Sequence, residues 1–188
     1  MSSICWRAAL SMGLVLALTA CGEEDAEPKT CDPECQDAVA ARGLRDVIKL
    51  VYNLTLQGKP IGPQDAETEC PHGGSARVAG FAISNPEQGA TEVELGYRFE
   101  ECAYQHKDDD AVESYSVTIS GDVGEKGILA VQPTATTALI FASESLSLEG
   151  TVFDPPVDYS MSECSLRLAQ DGNHMSGTWC EREIGFDL

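Results

Sequence analysis

Apolar residues recur along this chain with two different periods, and the change from one to the other divides it. Between residue 33 and about residue 56, Val39, Leu44, Val47, Ile48, Leu50, Val51 and Leu54 fall in one arc of about 180° at helical winding. Arg42, Arg45, Asp46, Lys49 and Asn53 fill the opposite side. Asp32 suits an N-cap and Pro33 the first helical position, where a missing N–H removes no internal hydrogen bond. Gly58, Pro60 and Gly62 end the run. The spacing predicts one amphipathic helix near the start of the domain, its apolar arc wide enough to pack deeply against a sheet.

After Cys70 the period falls to two. Val93, Leu95, Tyr97 and Phe99 alternate with Glu92, Glu94, Gly96 and Arg98; Tyr115, Val117 and Ile119 alternate with serines and a threonine; Leu146, Leu148 and Val152 do the same. Further strand-like runs cover 75–84, 128–132, 135–141, 158–168 and 174–182. Turn chemistry separates strands at Gly121-Asp122-Val123-Gly124, Asp154-Pro155-Pro156 and Asp171-Gly172. Seven or eight strands with short connections and no intervening helix predict an α+β domain. Its helix would pack on a curved antiparallel up-and-down sheet or partial barrel. Val47, Leu50, Val51 and Leu54 are the expected filling between helix and sheet.

The cysteines sharpen this picture. With Cys5 and Cys21 set aside, Cys31, Cys35, Cys70, Cys102, Cys164 and Cys180 remain, an even set that in an exported chain points to disulfides. A turn centred on Gly172 places Cys164 and Cys180 across one hairpin, with Leu166 and Leu168 opposite Thr178 and Ser176. That register sends Met175 and Trp179 to the other face, so it requires either two covered faces or a bulge. Cys70 and Cys102 flank the runs 75–84 and 91–100, which leaves Cys31 for Cys35. The alternative is a zinc site of these cysteines with His72, but no C-x-x-C pair is present.

The first residues say where the chain goes. Arg7 precedes an apolar run from Ala8 to Leu18, the length of a secretory signal's core and too short to span a bilayer. Leu18-Thr19-Ala20-Cys21 follows, then Gly22 and the acidic Glu23-Glu24-Asp25. This resembles the lipobox of bacterial lipoprotein precursors; the alternative is an ordinary signal peptide ending near a cysteine. The resemblance implies cleavage before Cys21, acylation of that cysteine, and export to a bacterial membrane, with Gly22 after it favouring the outer one. Two or more acyl chains hold a protein stably where one does not. Residues 1–20 are then signal peptide, 21–30 an acidic tether, and 31–188 a single domain. Beyond the lipobox, the chain resembles bacterial envelope lipoproteins that carry a cysteine-stapled β domain.

Charge and motifs bound the function. Twelve basic against 31 acidic residues, a formal charge of -19, argue against nucleic acid as a partner. The helix stripe Arg42, Arg45 and Lys49 could touch anionic headgroups or an acidic partner; a solvated face that offsets the sheet's carboxylates explains it more simply. The chain contains no G-x-S-x-G, no H-E-x-x-H and no P-loop, and Gly121, Gly124 and Gly127 read as a hairpin turn. The run His106-Lys107-Asp108-Asp109-Asp110 lacks the alternating ligands of a calcium loop and reads as a solvated loop. Trp179 beside Cys180 reads as core. No cofactor, metal or catalytic residue is expected. The expected partners are the membrane, through Cys21, and an envelope protein or polymer. The alternatives are a small-molecule carrier with a cup-shaped sheet and, behind it, a hydrolase built from scattered His and Asp residues.

Overall fold

A computed structural model describes residues 29–109, 111–132 and 135–188; the signal segment, the lipobox, Cys21 and most of the acidic tether lie outside them. The helix, α1 (Pro33–Thr55), starts where Asp32 caps it: the Cys35 N–H donates to Asp32 Oδ1 at 2.9 Å. Its chain then crosses one face of an eight-stranded antiparallel sheet whose strands lie in sequence order. These are β1 (Gly62–Glu69), β2 (Ser75–Asn85), β3 (Ala90–His106), β4 (Tyr115–Ala130), β5 (Ala138–Val152), β6 (Val157–Asp171), β7 (His174–Trp179) and β8 (Arg182–Asp187). The helix touches β1 through β6 and also β8.

One core lies between helix and sheet. Val39, Leu44, Val47, Ile48 and Val51 meet the inward row Val93, Leu95, Tyr97 and Phe99, together with Val117, Ile119, Leu146 and Leu148. Fully burying an aliphatic side chain of this kind contributes roughly 1.5–3 kcal/mol. Leu54, expected in the filling, is 55% exposed, and Leu50 is only half-buried. The reason is uneven cover. The first half of α1 is tied to β8 through Asp37 with Arg182 and Arg42 with the Asp187 carbonyl, and it meets the Tyr115 ring, which a Cβ on Gly43 would approach to 3.2 Å.

The strand boundaries differ from the sequence reading in one instructive way. Gly121, Gly124 and Gly127 do not reverse the chain; β4 continues through them, with a register shift against β5 between Gly121 and Gly124, joining 115–120 to 128–130, and β5 likewise joins 138–141 to 145–152. The glycines let β5 approach. Gly127 has φ +140°, and a Cβ there would sit 2.1 Å from the Ala138 carbonyl oxygen. β1, with its polar sequence, and β8 as a separate strand complete the eight.

Bulges set which side chains face inward. Register shifts lie between Phe99 and Cys102 on β3 and between Ser143 and Leu148 on β5 with β6, with Glu101 and Glu163 both at φ +50°. Each shift flips the parity, so Phe99 and Cys102 are both buried three residues apart. The last hairpin is corrected by one residue: Leu166 pairs Trp179 and Leu168 pairs Gly177, joined by Gly172-Asn173. That register sends Leu166, Leu168, Met175 and Trp179 to the same buried face and removes the conflict in the sequence pattern.

All three expected disulfides form: Cys31–Cys35, Cys70–Cys102 and Cys164–Cys180, with Cα separations of 5.2, 5.4 and 5.0 Å. With the cysteines so paired, the zinc alternative with His72 has no thiolates to use. Cys180 sits just past the β7 ladder at φ +48°, its N–H donating to the Ser165 carbonyl at 3.1 Å.

Candidate functional site

Two carboxylates are buried among the described residues, and they are treated differently. Asp37 lies seven residues before Leu44, on the apolar stripe of α1, and is 3% exposed. Arg182, which opens β8, donates to it through Nε and Nη2 at 2.6 Å each, in a bidentate fork. The Tyr159 hydroxyl donates to Asp37 Oδ1 at 2.8 Å and accepts from Trp179 Nε1 at 2.7 Å. The chain of contacts locks the first turns of the helix to β6, β7 and β8. Burial first, then the Asp37 carboxylate, pushes the Tyr159 hydroxyl well above its usual titration range.

Glu125 is 6% exposed and points inward from β4, in phase with Tyr115, Val117, Ile119 and Val123. Among the described residues its carboxylate takes one side-chain hydrogen bond, from the Tyr97 hydroxyl at 2.6 Å. Burial raises its pKa against the opposing influence of the Tyr97 bond and of Arg45. The same burial, reinforced by the Glu125 charge, raises the Tyr52 hydroxyl on the facing side of α1.

Glu125 forms part of the wall of a cleft of about 170 Å³ between α1 and the ends of β4, β5 and β6. Ile48, Leu129, Leu139 and Phe141 give it apolar walls. Arg45, Lys49, Asn53 and Gln170 supply the polar lining. An apolar cavity of about 150 Å³ is enough to admit benzene, so the cleft accommodates a short ligand body.

The three basic residues of the helix stripe therefore part company. Arg42 is drawn into the fold, with its side chain 12% exposed. It pairs with Glu113 at 3.4 Å, donates to the Asp187 carbonyl at 2.6 Å and lies 5.2 Å over the Phe186 ring. Arg45 is half-buried, bonded to Asp46 at 3.0 Å, and Asp46 in turn accepts from the Tyr115 hydroxyl at 2.9 Å. Lys49 is exposed. Arg45 and Lys49 line the cleft; Arg42 does not.

The histidines are peripheral. His174 Nδ1 lies 2.9 Å from Asp187 Oδ1 and His106 Nε2 lies 3.7 Å from Asp108, all four side chains being at least one-third exposed. Neither ring is hydrogen-bonded to a serine or cysteine among the described residues, so no nucleophile–base pair is assembled there. His106, Asp108 and Glu113 place three potential ligand atoms within 4.8 Å, but Glu113 already faces Arg42 and the His106 ring lies on Tyr115. Of the loop expected at 106–110, Lys107, Asp108 and Asp109 are exposed, whereas His106 ends β3 half-buried against Tyr115; Asp110 lies outside the described residues.

Asp37, Glu125 and Tyr97 are the residues that sequence reasoning missed as polar elements of the core. Each carried a signal. Asp37 shares the helical phase of Leu44 and Ile48, and Glu125 continues the inward parity of β4 once the strand is read through Gly121 and Gly124. Comparison with family models, with curated proteins and with solved structures returns no match for the chain.

Proposed function

We propose that this chain is the precursor of an exported, lipid-anchored bacterial envelope protein whose domain works by binding or by contributing to envelope structure rather than by catalysis. The observation that carries this reading is the distribution of cysteines. Every cysteine of the described domain is in a disulfide, while Cys21 stands apart, directly after an apolar run and within Leu18-Thr19-Ala20-Cys21. Three disulfides support an oxidising compartment, and an even set leaves Cys21 for another chemistry. On this reading residues 1–20 are removed, Cys21 carries the acyl chains, and residues 21–30 tether the domain, at the outer membrane where the envelope has two.

Loss of Arg7 with the signal leaves 11 basic and 31 acidic residues, a mature charge of -20. Such a surface favours basic or cation-bridged partners and disfavours self-association. Headgroup contact by the helix stripe narrows to Lys49 and Arg45, because Arg42 is occupied inside the domain. We infer a strongly curved sheet, since one helix reaches both β1 and β8. A carrier with its ligand in the centre of that cup finds the space filled by Val47 and Val51, both buried against the strands. Room for a small molecule is at the side cleft instead.

The test is expression of the full-length chain and its Cys21→Ser variant in a bacterial host, followed by mass spectrometry and membrane fractionation. A diacylglyceryl adduct on an N-terminal Cys21, and release of the variant from vesicles, are the expected results. Equal retention of both proteins by vesicles overturns the anchor.

A further inference from the structure

We propose that the cleft between α1 and the ends of β4, β5 and β6 binds a primary ammonium on a short apolar chain, with the ammonium seated on the Glu125 carboxylate. The inference depends on the cleft alone and not on the lipid anchor, so the result for Cys21→Ser does not bear on it.

The argument starts from the contrast between the two buried acids. Asp37 has a cation in bidentate contact and a phenol, and it does not line the cleft. Glu125 is almost as deeply buried, yet its one described side-chain bond comes from a neutral phenol. A buried carboxylate without a contacting cation is costly, and proteins ordinarily neutralise it by pairing or by protonation. Here the acid borders open space, and the basic group nearest in influence, Arg45, is bonded to Asp46 rather than to Glu125. An ammonium donates three hydrogen bonds and brings the missing charge, so its shape and chemistry fit what the fold omits.

The rest of the cleft selects the ligand's body. Ile48, Leu129, Leu139 and Phe141 disfavour a hydrated metal ion and favour a short aliphatic chain. Arg45 and Lys49 stand on the same lining, and alone they would repel a simple amine. A carboxylate at the ligand's far end turns that repulsion into attraction. The favoured ligand is therefore a short ω-amino acid, with a plain alkylammonium binding more weakly. The groups facing Glu125 are Tyr97 from β3 and Tyr52 and Arg45 from the helix. Burial raises the Glu125 pKa, and a seated ammonium acts in the opposite sense, favouring the ionised acid.

Isothermal titration of the full-length protein in detergent micelles distinguishes the possibilities, using 5-aminopentanoate, pentylammonium and pentanoate as probes. The expected order is 5-aminopentanoate, then pentylammonium, with pentanoate weakest. Glu125→Gln, which keeps the shape of the side chain, should weaken both amines by at least about tenfold. Lys49→Gln, at an exposed position that leaves the fold intact, should weaken 5-aminopentanoate and leave pentylammonium equal or tighter. Failure of pentylammonium to bind the unaltered protein, retained affinity in Glu125→Gln, or pentanoate binding as tightly as the amines each overturns the proposal.

Discussion

Replacing Asp37 by asparagine removes the charge at the centre of the Arg182–Asp37–Tyr159–Trp179 chain while keeping the side-chain shape. Two bonds to Asp37 differ in worth. Arg182 is 57% exposed, so its pairing is screened by water and contributes about 1 kcal/mol at most. The Tyr159 bond is buried, and a hydrogen bond to a charged acceptor in such a place contributes about 1.5–3 kcal/mol. The loss should come to about 2–4 kcal/mol, since the amide oxygen still accepts one bond and the Tyr159 hydroxyl keeps its contact with Trp179. For a domain of this size that lowers Tm by about 4 to 16 °C.

Thermal or urea unfolding of Asp37→Asn measures the total. Double-mutant cycles with Tyr159→Phe and Arg182→Met apportion it. Coupling to Tyr159 should exceed coupling to Arg182, because only the phenol is withdrawn from solvent. A variant whose Tm lies within about 2 °C of the parent, or the opposite order of couplings, would refute the reasoning.

Two further outcomes follow from the same structure. Removing the disulfides one pair at a time by Cys→Ser should rank Cys70–Cys102 above Cys164–Cys180 above Cys31–Cys35. Their sequence separations are 32, 16 and 4, and loop-closure entropy gives about 3.7, 3 and 2 kcal/mol in that order, readable as Tm losses. The pH dependence carries the signature of Glu125. Its folded pKa is raised, so the folded state holds its proton more tightly than the unfolded chain, and stability falls as pH rises from the ordinary carboxylate range through the raised value. Urea midpoints between pH 4 and pH 8 should show Glu125→Gln gaining on the parent along that limb; parallel curves would remove the assignment.

Much of the architecture was readable from one dimension. Period 3.6 with a cap at Asp32 marked the helix, and period two marked the inward rows on β3, β4 and β5, because both patterns follow from local geometry and a single buried face. The disulfide pairing was readable because each pair brackets a local turn or hairpin. Bulges were not: Glu101 and Glu163 look like ordinary strand residues, and only the neighbouring strand decides where an extra residue is absorbed. The same holds for Gly121 and Gly127, whose purpose is the approach of β5 rather than a reversal of the chain.

The cleft depended most on tertiary structure. Sequence alone grouped Arg42, Arg45 and Lys49 by their shared helical face, since residues at three- and four-residue spacing lie together on any helix. What each then meets depends on how far the sheet wraps around that part of the helix. β8 reaches Arg42 and takes it inside, whereas Arg45 and Lys49 line a cleft together with Glu125. Periodicity specifies which way a side chain points. Packing between distant segments specifies whether it finds a partner, and for Glu125 it supplies the Tyr97 phenol and an adjoining cleft.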